Sequence, residues 1–214
     1  MRRSSSLAER LGQIRRRIEA AGGDPARIEI VAITKGRSLA DCESALEAGL
    51  ANLGENRVQE ALPKLDALPA VRWHLVGHLQ TNKVRQLAGR FALIQSLDSL
   101  HLAKELARRS EGTQPVLLQV NVSREPQKHG FAPEEAVSAC REVARILDLH
   151  GVMGMAAAEG DPRPAFDELR RLRDEAEQAL GRSLPVLSMG MTGDFEAAVA
   201  AGSTMLRLGR ALFG

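Results

Sequence analysis

The sequence predicts a single closed (β/α)8 barrel over residues 1–214, preceded by one extra helix packed on it over residues 1–22. Three observations carry that prediction. Segments of β-type alternate with helical ones along the whole chain, eight of each kind counting the chain terminus as the last connection. The first of them, Ile28 to Thr34, is β-branched and almost continuously apolar, which marks a strand buried on both faces of a parallel sheet. After it stands Thr34-Lys35-Gly36-Arg37-Ser38 instead of the GxGxxG that a doubly wound open sheet would want.

The elements follow in order. Ser6 with Glu9 forms a capping box, and Leu7, Leu11, Ile14 and Ile18 recur at helical spacing up to the stop at Gly22-Gly23-Asp24-Pro25. Arg15, Arg16 and Arg17 are then a solvated face. This helix also explains the Arg- and Ser-rich start better than a transit peptide does, and no apolar region of a secretory signal is present. Strand one, Glu29 to Thr34, is followed by a helix over Leu39 to Ala48. A short strand at Leu50 to Leu53 leads through Gly54-Glu55-Asn56 into a helix reaching about Leu68. Strand three is Val71 to Val76, with a helix from Thr81 to Ala88. Strand four is Phe91 to Ser96, and Asp98 can cap the helix Ser99 to Arg109. Strand five, Pro115 to Val122, runs into a polar loop, Ser123 to Gly130. Pro133 opens a helix to Leu147, at the first turn where proline is favoured. Strand six is Leu149 to Met153, and Pro162 and Pro164 precede a long helix to Leu180. Strand seven is Leu184 to Leu187, a short helix covers Asp194 to Ala201, and strand eight is Thr204 to Leu208.

Composition narrows the function. A net charge of +2 gives no electrostatic footprint for nucleic acid or a membrane surface, and 3% aromatics leave few stacking platforms for single strands. No apolar run is long enough to span a bilayer. Cys42 and Cys140 fall in helices without CxxC or metal-ligand spacing, as expected of reduced thiols in a cytoplasmic protein, and no metal site is expected.

In such a barrel the site lies at the C-terminal ends of the strands. Those ends supply Lys35, Glu55, Asn56, His74, His78, Asn121, Met153, Met155, the loop Ser188 to Thr192, and Arg207 to Arg210. A lysine ending a buried strand either snorkels to solvent or, part-buried, is pushed toward the neutral amine that condenses with an aldehyde. Ser188-Met189-Gly190-Met191-Thr192-Gly193-Asp194 is a small-residue loop entering a helix, whose amides and hydroxyls suit an anion. Gly209 lets the backbone come close beside it. Both loops opposite Lys35 point to a phosphorylated aldehyde.

Five blocks now acquire a common meaning: Val31 to Lys35, Gly54 to Glu60, Trp73 to Lys83, Ser188 to Thr192, and Arg207 to Gly214. In this order they resemble the signature segments of the YggS/PROSC-type pyridoxal phosphate homeostasis proteins. The resemblance implies a barrel like the N-terminal domain of alanine racemase and pyridoxal 5′-phosphate (PLP) as cofactor, bound as a Schiff base on Lys35. It implies a carrier or buffer of PLP without established turnover, with no catalytic residue to assign. Ser188, Met191, Thr192, Gly209 and Arg210 would surround the phosphate, and Arg207 would sit beside the pyridine nitrogen and keep it unprotonated. Asn56 and His74 would line the ring or the phenolic-oxygen side; alternatively Asn56 caps its helix and His74 is a satisfied core histidine. Arg210 stands where the family usually has a small hydroxyl residue, and it either adds a phosphate contact or points to solvent. Gly36-Arg37-Ser38 is also more polar than the common version.

Three functions compete on this reading. The first is a cytoplasmic PLP-binding protein, monomeric, with PLP-dependent apoenzymes as possible recipients. The second is an amino-acid racemase of the same fold type. It would need a second acid–base group, which alanine racemase takes from a tyrosine; this chain has no tyrosine and ends six residues after Leu208, without a β-domain. The third is a Schiff-base enzyme for sugar phosphates unrelated to PLP.

Overall fold

The computed structural model describes residues 6–87, 89–110 and 113–214. Eight parallel strands close into a barrel in chain order, β1 pairing with both β2 and β8. The strands are β1 (Glu29–Ile33), β2 (Asn52–Glu55), β3 (Arg72–Leu75), β4 (Leu93–Leu97), β5 (Pro115–Val120), β6 (Asp148–Gly154), β7 (Val186–Ser188) and β8 (Met205–Leu208). The helices are α1 (Leu7–Ala20), α2 (Leu39–Glu47), α3 (Val58–Ala67), α4 (Val84–Leu87), α5 (Leu100–Ser110), α6 (Ala136–Val143), α7 (Arg163–Leu180), α8 (Phe195–Ala200) and α9 (Arg210–Phe213). Among the described residues, no helix is long and apolar enough to cross a membrane.

Alternation along each strand divides the side chains into two sets. One set faces the helices and joins a large apolar layer that includes Ala32, Leu53, Trp73, Leu75, Ile94, Val116, Leu118, Val152, Leu187 and Leu206. The other faces into the barrel: Val31, Leu93, Leu117, Met153 and Met205 pack together there, with Ile33 and Met155 above them toward the mouth. α1 caps the outside by packing against α8 and α9 through Leu11, Ile14 and Ile18. Its capping box is present: Ser6 Oγ accepts from the Glu9 amide at 3.1 Å, and Glu9 Oε2 accepts from the Ser6 amide at 2.9 Å. Arg15, Arg16 and Arg17 lie on its exposed face, with Arg17 pairing to Glu196.

Several boundaries differ from expectation. β2 lies at Asn52–Glu55, so Gly54 and Glu55 are strand residues and not the loop; Asn52 to Glu55 align residue for residue with Arg72 to Leu75 of β3. The helix expected over Thr81 to Ala88 is a 3-10 turn, Thr81–Lys83, continued by α4; Ala88 lies outside the described residues, as do residues 1–5. α6 stops at Val143, four residues short of the expected end. β8 leads into a short α9, which carried no separate signal in the last six residues. Asp98 does not cap α5. Ser99 Oγ accepts from the Leu102 amide at 3.2 Å instead, and the Asp98 carboxylate accepts a hydrogen bond from His78 Nδ1 at 2.7 Å. Cys42 and Cys140 are buried free thiols in α2 and α6, and burial pushes the Cys140 thiol up to about 12.

Candidate functional site

The register of β1 continues inward past its end. Val31 and Ile33 face the barrel interior, and Lys35, two residues further, opens into the mouth. Two adjoining cavities occupy that mouth, of about 540 and 310 Å3. Ile33, Lys35, Lys128, Met155, Met191 and Arg207 line both, so they form two lobes around one lysine. Lys35 is exposed, in a turn beyond the strand. Of the two alternatives the sequence left open for this lysine, the structure has the side chain reaching solvent. The apolar run ends at Thr34, and the chain turns outward at Gly36, where φ is +67°.

Arg207 supplies the floor between the lobes. It is 5% exposed, and burial pushes its guanidinium down to about 10, still a cation near neutral pH. Its NH1 donates to Ser188 Oγ at 2.6 Å and its NH2 to the Gly154 carbonyl at 2.9 Å. Ser188 Oγ then donates to Gln95 Oε1 at 2.7 Å, and Gln95 Nε2 reaches His74 Nδ1 at 2.9 Å. A consistent assignment makes every donor point the same way, from Arg207 to His74, with His74 a neutral imidazole protonated on Nε2. Burial holds that imidazole down at about 3, with the Arg72 charge acting in the same sense.

The larger lobe is walled by Thr192, Gly193, Asp194, Gly209 and Arg210. The Thr192 and Gly193 amides donate to no acceptor among the described residues. The Met191 amide, by contrast, is occupied by Asp194 Oδ1 at 2.6 Å, and Thr192 Oγ1 accepts from the Ala211 amide at 3.2 Å, tying the two loops together. Gly190 makes this loop possible: its φ is +97°, and a Cβ there would sit 2.7 Å from Ala198 Cβ. Gly209 is not needed for close packing within the chain, since a Cβ there would meet Ile33 at an ordinary 3.5 Å. Arg210 is exposed and forms no ion pair among the described residues, leaving its guanidinium available to the lobe.

The structure thus gathers Lys35, Asn56, Met191, Thr192, Arg207, Gly209 and Arg210 at the mouth. Asn56 lines the smaller lobe and does not cap α3, whose N-cap residue is Arg57 without a side-chain bond. Its backbone is pressed against Gly77, where a Cβ would meet Asn56 O at 2.2 Å. Two expected residues lie elsewhere. Ser188 is fully buried below the floor and touches Arg207 instead of the lobe. His74 sits deeper still and lines a cavity at the opposite, N-terminal end of the barrel with Arg72, Leu93 and His150. It precedes the inward-facing strand-end position, Val76, by two residues, which drops it one layer below the mouth. Gln95 and Lys128 carried no signal. Gln95 reads as one polar residue within an apolar strand. Lys128 lies in the Ser123 to Gly130 loop, folded over the mouth by Asn121 Nδ2 bonds to the Glu125 and Lys128 carbonyls at 2.9 and 3.3 Å. Its own Nζ donates to the Ala156 carbonyl at 3.0 Å and pairs with Glu125.

This geometry has close relatives. The family profile described as "Alanine racemase, N-terminal domain" matches residues 4–214. A pyridoxal phosphate homeostasis protein of Pseudomonas aeruginosa is 40% identical over 225 residues, covering 98% of this chain and 96% of that one. The chain belongs to the pyridoxal phosphate homeostasis protein family. A solved structure of PipY of Synechococcus elongatus, with PLP bound, superposes with a TM-score of 0.82 at 33% identity, over 97% of this chain and all of that one. Alanine racemase of Corynebacterium glutamicum shares the fold, with a TM-score of 0.79 at 16% identity, covering 98% of this chain and 60% of that one.

Proposed function

We propose that this protein binds pyridoxal 5′-phosphate in the barrel mouth, through a Schiff base to Lys35, and serves PLP homeostasis as a carrier or buffer without catalytic turnover. Bound PLP supplies an aldehyde that condenses with a primary amine, a pyridine nitrogen, and a phosphate dianion. The donor set suits each part. Lys35 is the amine reached from both lobes. The unpaired Thr192 and Gly193 amides with Arg210 suit the phosphate. Arg207, held by Ser188 and the Gly154 carbonyl, presents a fixed cation to the ring side. Asn56 and His78 close the smaller lobe.

The observation that carries this reading is the position of Lys35 between a buried guanidinium and a loop of free amides. The names of the relatives, and the PLP bound to PipY, support it. On the same reading residues 1–214 act as one binding unit, a monomer of the cytoplasm, with PLP-dependent apoenzymes as recipients. The relatives are named as homeostasis proteins, and the chain has no tyrosine to serve as a second racemase base. The test is borohydride reduction of the PLP-loaded protein followed by peptide mapping. The pyridoxyl mass is expected on the Lys35 peptide alone; comparable label on Lys64, Lys83, Lys104 or Lys128 overturns the assignment.

A further inference from the structure

The geometry points to a second site at the rim of the same mouth: we propose that His78, Asp98 and His129 bind one divalent transition-metal ion of the zinc type. The proposal shares His78 with the lobe assigned to the cofactor, and its test is made without added cofactor so that the two readings stay distinguishable. The three residues follow three successive strands, β3, β4 and β5, so the fold and not a sequence motif brings them together. One ligand atom from each lies within 4.8 Å of the other two. His78 Nδ1 is 2.7 Å and His129 Nδ1 3.6 Å from the same oxygen, Asp98 Oδ2. The two imidazole rings stack 3.8 Å apart at 10°, so they present the same nitrogen to one carboxylate.

That arrangement gains little on its own. Face-to-face ring stacking is the less favoured geometry of aromatic pairs, and His129 Nδ1, at 3.6 Å, stays outside hydrogen-bond distance of the oxygen that His78 reaches. In the stacked arrangement the two in-plane lone pairs run nearly parallel; once one ring turns out of the stack, a cation accepting both gives the nitrogens and the carboxylate a common partner. The carboxylate is already placed for it: the Asp98 side chain is 8% exposed, and among the described residues its ion-pair partners are these two imidazoles. Metal–ligand bonds of about 2.0–2.1 Å put the donor atoms of a tetrahedral site roughly 3.3 Å apart. The 3.6 Å pair needs little change, and the 2.7 Å pair opens as the Nδ1 protons leave. Two imidazoles and a carboxylate suit zinc, cobalt or nickel rather than calcium or magnesium, which want oxygen ligands. Three protein ligands leave a fourth position open, and His78 and His129 both line the Lys35 lobe, so that position is reached from it.

The test uses untagged full-length protein without added cofactor, titrated with Co2+ and followed by its visible d–d absorption, then displaced with Zn2+. One equivalent is expected to bind. His78→Ala, His129→Ala and Asp98→Asn should each weaken binding by at least about tenfold. The two histidines outside the cluster and outside the buried floor are the control, and His101→Ala/His150→Ala should bind as wild type does. Should an alanine variant unfold, His129→Gln keeps the ring-sized side chain without the ligand and is expected to lose the ion equally. No saturable binding, binding unchanged in folded His129→Ala or His129→Gln, or binding lost with His101 and His150 overturns the site.

Discussion

Lys64 Nζ lies 2.6 Å from Glu55 Oε1, behind the turn that carries Lys35. The same ammonium donates to the Thr34 carbonyl at 2.8 Å, and Thr34 Oγ1 donates to Glu55 Oε1 at 2.6 Å. Helix α3 therefore grips the residue immediately before Lys35. The pair is buried, with Lys64 13% and Glu55 0% exposed, and Glu55 Oε2 has no hydrogen-bond partner among the described residues. Removing one partner of such a pair leaves a buried charge unpaired, at a cost of about 3–5 kcal/mol. Lys64→Met is expected to lower stability by that order in urea titrations and to weaken PLP binding, because Thr34 is released. The double variant Lys64→Met/Glu55→Leu should recover most of the stability. A wild-type unfolding midpoint in the single variant would refute the clamp.

The floor network predicts a spectral effect from a residue that touches no lobe. Ser188→Ala deletes the hydroxyl that accepts from Arg207 and donates to Gln95. The orphaned buried partners cost about 1–3 kcal/mol. With the guanidinium released from one of its two anchors, the absorption maximum of bound PLP should shift relative to wild type. Arg207→Gln should shift it in the same direction and further. Identical spectra in all three proteins would show that Arg207 does not sense the ring.

His74 makes stability depend on pH in a defined direction. Burial holds its folded value at about 3, against an ordinary value of 6.5, so the folded state binds the proton less well than the unfolded one. No penalty exists above about pH 6.5. As pH falls from there toward 3, unfolding takes up a proton and stability drops by at most about 1.4 kcal/mol per unit from this group. His74→Gln should show a shallower fall in urea midpoint between pH 7 and pH 4. Parallel curves for the two proteins would remove His74 from the account.

Phosphate contacts should dominate cofactor affinity. On the proposed site, charge-assisted bonds from the Thr192 and Gly193 amides and from Arg210 would contribute about 1.5–3 kcal/mol each. Pyridoxal, which lacks the phosphate, is expected to bind at least a hundredfold more weakly in a spectral titration, and Arg210→Ala should lose about tenfold for PLP while leaving pyridoxal unchanged. Equal affinity for the two compounds would refute the loop assignment.

PLP-loaded protein should not exchange the α-proton of amino acids faster than free PLP. His78 and His129 line the lobe beside Lys35, and His78 is the imidazole we test as a second base in place of the missing tyrosine. Exchange in deuterated water, measured for both enantiomers of alanine, decides the matter. Turnover well above free PLP that vanishes in Lys35→Ala or His78→Ala would promote the racemase reading.

The fold was largely legible because β-branched runs such as Ile28 to Thr34 and helical stripes such as Leu11, Ile14 and Ile18 report burial directly. Depth within the barrel was not. Strand-end position implied that Ser188 and His74 reach the ligand, whereas inward-facing residues occur in layers, and a two-residue difference moves a side chain from mouth to floor. The loop holding Lys128 and His129 has no periodicity at all; its path is set by Asn121 and by the bridge between Val120 and Phe131. The exposure of Lys35 likewise depends on the turn at Gly36, which strand burial says nothing about.

The N-terminal helix has a kinetic consequence. α8 and α9 have six and four residues, too few to hold a helix unaided in water, and α1 is the long element lying across both. These are the same two elements that anchor the ligand loops through Asp194 and Ala211. Opening of α1 should thus unfasten both loops in one cooperative event, and amide hydrogens around Gly190 to Asp194 should exchange with solvent in step with those of Leu11 to Ile18. A segment on the outer wall would then set how long a ligand stays in the mouth.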